Sequence, residues 1–119
     1  MRSKPDIIAP GGLKNIEGEF HKEVSMVSSR IDGVWSQDQS NEKPWFVDDD
    51  HYGVSGTSQA TALVSGVCAL LLEELTHRKK QVKHGEVAQA LKDKALSLGY
   101  PYSEQGHGLL QADQTMEWF

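Results

Sequence analysis

The stretch that decides the fold is residues 55–75, SGTSQATALVSGVCALLLEEL. Ala60, Leu63, Val64, Val67, Leu70, Leu71 and Leu75 recur at the three- and four-residue spacing of a helix. Ala62, Ser65, Gly66, Cys68 and Ala69 fill the remaining faces with small side chains. A surface helix carries a charged face, whereas here charge begins only at Glu73, so the spacing predicts a helix over 58–77, buried along its first four turns. Gly66 weakens helix propensity, and close packing of a neighbouring backbone is the physical reason to keep it. The Gly-Thr-Ser at the head of this helix has two readings. Thr57 or Ser58 is an N-cap whose hydroxyl accepts a bond from an unpaired backbone N–H, or Ser58 is a nucleophile held at the helix's positive end.

Bulk properties narrow the classes. A chain of 119 residues fits one domain. Its 38% hydrophobic and 24% charged residues are ordinary for a globular protein. The net charge of -5 is spread out, and Asp48–Asp50 reads as a solvated loop, since a cation site needs several convergent oxygen ligands. The one basic cluster, HRKKQVKH at 77–84, falls at the end of the predicted helix. Cations there complement the helix dipole, so no nucleic-acid partner is implied. Cys68 is the sole cysteine, which excludes an internal disulfide and a cysteine-based zinc site and predicts a buried, inert thiol. The N-terminus lacks a signal-peptide core, and the longest apolar run, VCALLL, is too short to span a bilayer. No membrane partner, cofactor or metal site follows from the residues, and they leave the compartment unassigned.

Outward from the central helix, PDIIAPGG (5–12) reads as a short buried strand entering a turn. EVSMVSSRI (23–31) is a strand candidate. Residues 33–53 read as an ordered loop with a hairpin in which Trp35, Trp45, Phe46 and Tyr52 need packing partners. A second helix is predicted over 85–98, with an apolar stripe of Val87, Leu91, Ala95 and Leu98 and with Gly99 at its C-terminal cap. YPYS (100–103) turns the chain, and GHGLLQADQTMEWF (106–119) reads as an extended piece followed by a short amphipathic helix.

Three segments, KPDIIAPGG, SGTSQATALVSGVCALL and GHGLLQAD, resemble in kind and in order the signature segments of the subtilisin-like serine proteases (subtilases, peptidase family S8). The resemblance covers the chain apart from 13–54, which reads as an insertion containing loop and strand. It implies an α/β fold, the C-terminal part of a three-layer domain in which helices flank a parallel sheet and a central buried helix starts at the nucleophile. It implies a serine endopeptidase acting on polypeptides. Ser58 matches the nucleophile, Thr57 the residue beside the oxyanion hole, and Gly56 the position where backbone comes close to substrate. Calcium occurs in the family, but no residue here specifies it.

The sequence departs from the family pattern in several places. Ala62 and Leu63 stand where Pro and His usually follow the nucleophile. Triad order in this family is Asp, His, Ser, so acid and base are expected well before Ser58. Asp6 belongs to the Lys-Pro-Asp segment and reads as structural. His21 and His51 lack the Gly-Thr that follows the family's base, and Asn15 and Asn41 lack the context of its oxyanion donor. His84 and His107 follow the serine. The residues 1–119 are thus expected to form the C-terminal fragment of a catalytic domain, inactive alone and complemented by a missing N-terminal portion. A truncated frame, a split gene and a natural remnant all fit. The alternative is a non-catalytic remnant that serves as a binding or decoy module.

Overall fold

In the computed structural model, the structure describes residues 4–12, 26–29 and 51–119. Helices and strands mix. The described elements run β1 (Met26–Ser29), β2 (His51–Val54), α1 (Thr57–His77), α2 (Glu86–Asp93), α3 (Tyr102–Gln105) and α4 (Ala112–Met116). The chain separates into two compact units, residues 10–60 and residues 1–9 with 61–119.

In the unit 10–60, β1 and β2 pair antiparallel, with Met26 opposite Val54 and Ser29 opposite His51. β1 lies inside the strand candidate 23–31. β2 ends two residues before α1 begins, so the chain runs strand, Ser55-Gly56, helix. Of the region read as an insertion, 13–54, only these two strands are described. Trp35, Trp45 and Phe46 lie outside the described residues, as do Asp48–Asp50, His21, Asn15 and Asn41.

In the other unit, the core is small: Leu71, Leu75, Ala90 and Leu91 are its buried hydrophobic residues. α2 supplies the last two and packs against α4. Thr115 is fully buried in α4, where its hydroxyl donates to the Gln111 carbonyl at 2.5 Å. Trp118 Nε1 donates to Asp93 Oδ2 at 3.0 Å, tying the last residues to the end of α2. Hydrogen bonds from the Gln89 side-chain amide and the Trp118 indole N–H hold the Asp93 carboxyl below its ordinary range.

The sequence expectation fails in three places. α2 stops at Asp93 rather than 98, because Leu96 turns away to exchange both backbone bonds with Leu109, at 2.8 Å each. Leu98 is consequently exposed. Residues 5–12 form no strand. Ile8 makes a single parallel bridge with Leu109 and is only half-buried.

The third correction concerns α1. Its length matches the expected 58–77 within a residue, but its burial does not. Leu63, Val64 and Val67 are half-buried, Ala62, Gly66 and Ala69 are exposed, and Leu70 is 66% exposed. Only Leu71 and Leu75 are buried. A helix apolar on nearly all sides needs neighbours on nearly all sides, and the described residues supply them only toward its C-terminal end. By length and composition α1 is also long enough and apolar enough to cross a membrane, which its longest unbroken apolar run did not reveal. Cys68 is half-buried, and burial pushes its thiol above the ordinary range, away from the reactive thiolate.

Candidate active site

The predicted site residues fall on one short path through the unit 10–60. Gly56 precedes the first helical residue, and its carbonyl accepts the Ala60 N–H at 3.3 Å, the first i+4 bond of α1. Gly56 therefore stands at the cap position, and Ser58 lies inside the first turn rather than capping it. The φ of Gly56 is 155°, a backbone conformation that side-chain-bearing residues rarely adopt. Thr57 and Ser58 are exposed.

Other hydroxyls in the same helix show how Ser58 differs. Ser65 Oγ donates to the Thr61 carbonyl at 3.0 Å, and Thr76 Oγ1 donates to the Leu72 carbonyl at 2.7 Å. This back-bonding to the preceding turn occupies a hydroxyl proton. Ser58 has no preceding turn to bond to, and its hydroxyl makes no hydrogen bond with any described residue. The backbone N–H groups of a helix's first turn also lack intrahelical acceptors and carry the positive end of its dipole. An exposed hydroxyl beside such N–H groups is a geometry suited to attack on a carbonyl whose oxygen becomes negative.

The segment before the helix is held from behind. The Gly56 N–H donates to the Gly11 carbonyl at 2.7 Å. Gly12, at φ 76°, sits where a Cβ would meet Met26 N, Val54 O and Ser55 Oγ, each at 3.0 Å. Gly11 and Gly12 thus approach both the end of β2 and the turn into α1, a role that sequence reading did not assign to them.

No described histidine hydrogen-bonds to Ser58. His77 ends α1, about 28 Å along the helix axis from Ser58 at 1.5 Å per residue. His51 lies in β2. The His107 ring meets Tyr102 edge-on at 5.5 Å, and the His107 backbone N–H donates to the Asp6 carbonyl at 2.9 Å. Asp6 also pairs with Lys4, in keeping with a structural residue. Gly106 and Gly108 are required for packing: a Cβ on the first would overlap the carbonyls of Pro5 and Asp6, and one on the second the carbonyl of Leu96. Sequence reading saw this Gly-x-Gly as a motif but not its contacts. It also missed the buried Gln105, whose side chain accepts the Leu98 N–H at 2.7 Å and donates to the Tyr100 carbonyl. Among the described residues no three His, Cys, Asp or Glu side chains converge to hold a metal ion.

These contacts join segments that the family signature lists separately, and direct comparison agrees. A sequence model of the subtilase family (peptidase S8) matches residues 1–108. The chain belongs to the subtilase family of serine proteases. Among solved structures it is similar to the patellamide maturation protease PatA, with 36% sequence identity and a TM-score of 0.47. That match covers 56% of this chain and 26% of the PatA chain. No curated protein matches.

Proposed function

We propose that this chain carries the nucleophile of a subtilase endopeptidase, with Ser58 as that nucleophile and with the catalytic acid and base supplied by a complementary N-terminal subtilase portion. The observation that carries the proposal is the unoccupied, exposed hydroxyl of Ser58 in the first turn of α1, on a family member's Gly-Thr-Ser segment. Ser58 Oγ would bond to the scissile carbonyl carbon as its proton passes to the base, and the carbonyl oxygen would take the negative charge. The Ser58 N–H would stabilise that oxyanion, with Thr57 beside it and Gly56 admitting the substrate backbone. Collapse of the intermediate breaks the C–N bond, the amine leaves with the proton, and water then hydrolyses the acyl-enzyme. The substrate is a polypeptide, and no cofactor enters. In this reading the exposed apolar face of α1 packs inside the completed protease domain rather than against lipid.

The second reading is a non-catalytic subtilase remnant that binds or decoys. It is favoured by the Ser58 hydroxyl having no hydrogen bond with a described histidine. A fluorophosphonate probe separates the two. The chain alone is expected to remain unlabelled, since a serine hydroxyl without a base is a weak nucleophile. Joined to a subtilase portion containing the acid and base, it is expected to label at Ser58, and Ser58→Ala is expected to abolish the label. Failure of the joined protein to label would favour the remnant.

A further inference from the structure

We propose that Gly11 is a positioning residue for Ser58, acting through Gly56; this rests on Ser58 being the nucleophile. Residue 56 is held at both of its backbone polar groups. Its N–H donates to the Gly11 carbonyl at 2.7 Å, and its own carbonyl accepts the Ala60 N–H that closes the first turn of α1. The fit depends on Gly11 having no side chain. A Cβ there would stand 2.5 Å from Gly56 O, 3.2 Å from Gly56 C and 3.5 Å from the Ala60 Cβ. The nearest of these atoms are backbone, so the clash cannot be relieved by turning a flexible side chain. Gly56 would have to move, and its carbonyl would tilt the first turn with it. Ser58 lies in that turn, two residues along, so both its hydroxyl and its N–H would shift relative to the scissile carbonyl. Gly11 touches no reacting atom, and its effect is to fix where the nucleophile stands.

The test is the acylation burst with a nitrophenyl ester, in the chain joined to a subtilase portion supplying acid and base. Burst amplitude counts folded, competent sites, and the burst rate constant reports serine geometry at each site. A residue needed only for folding lowers the amplitude alone. Gly11→Ala is expected to lower the rate constant by about a hundredfold, the scale of a displacement near 1 Å. A reduced amplitude with an unchanged rate constant would overturn the proposal while leaving the nucleophile assignment intact. A wild-type protein with neither a burst nor fluorophosphonate labelling at Ser58 would overturn both. If Gly11→Ala does not fold, replacing the Gly56 amide by an ester deletes the N–H without adding an atom at Gly11. The rate constant is then expected to fall about tenfold, the equivalent of one hydrogen bond, and an unchanged value would overturn the proposal.

Discussion

At its C-terminal end α1 buries Leu71 and Leu75 and closes its backbone. The Lys80 N–H reaches the Leu75 carbonyl and the Lys79 N–H the Thr76 carbonyl, both at 2.9 Å, with Lys79 left-handed at φ 55°. This is a Schellman cap formed without glycine, beside an Arg78–Glu74 ion pair at 2.7 Å. At its N-terminal end the same helix exposes Thr57 and Ser58, and the Ser58 hydroxyl bonds no described residue. One end satisfies its polar groups within the fold and buries apolar surface. The other leaves the Ser58 hydroxyl ready for something that is not part of the fold. Under the proposed function, stability and chemistry fall at opposite ends of one helix, and substitutions at the two ends should register in different assays.

The largest difference is expected from Ser58→Ala in the joined protease. kcat is expected to drop by about 10⁶, the scale of losing the nucleophile from a serine protease triad, with the urea midpoint unchanged. A substantial residual rate would show that the open end is not the reacting end. Next comes Leu75→Ala at the closed end. It empties a fully buried site and is expected to cost about 2–5 kcal/mol in a denaturant melt. A cost below about 1 kcal/mol would break the comparison, because the closed end would then not be holding the fold. Gln105→Ala removes the bonds that pin the loop 97–100 and leaves the Leu98 N–H without its partner. The expected cost is about 1–3 kcal/mol, read in the same melt and as faster amide exchange at Leu98.

The smallest effect is expected from Leu70→Ser. In this chain Leu70 is 66% exposed, so stability is expected to change by no more than about 0.5 kcal/mol. In the joined protease the same substitution would place a hydroxyl in a packed interface, and a clear loss of stability is expected there. Equal effects in the two settings would show that the helix face remains uncovered.

The extent of α1 was legible because periodicity, Gly56 before it and the cationic 78–80 segment after it all agree on its limits. Its burial was not, because periodicity reports which faces are apolar and says nothing about what covers them; Leu70 shows the difference. The end of α2 was misread for a related reason. Ala95 and Leu98 continue a helical stripe, but the pairing of Leu96 with Leu109 is a long-range interaction that overrides local propensity. At the candidate site, Ser58, Thr57 and Gly56 were visible through their motif. Gly11 was visible only as part of a turn, since its contact with Gly56 depends on three-dimensional approach. Gln105 carried no signal, because a glutamine that bonds its own neighbouring loop looks like any polar residue between two turns.

The bridge between Ile8 and Leu109 sets an order of events during synthesis. His107 donates to Asp6, Ile8 to Gly108 and Leu110 to Ile8, each at 2.9 Å. Closing a loop of about a hundred residues has a high entropic cost, and such contacts form late. On the ribosome, residues 6–8 emerge long before their partners exist. They remain unpaired until residues 107–110 leave the exit tunnel, while α1 lies between them and is free to become helical first. A chain released before residue 107 was made would leave residues 6–8 without these partners, although every residue of the Gly-Thr-Ser turn would already be present.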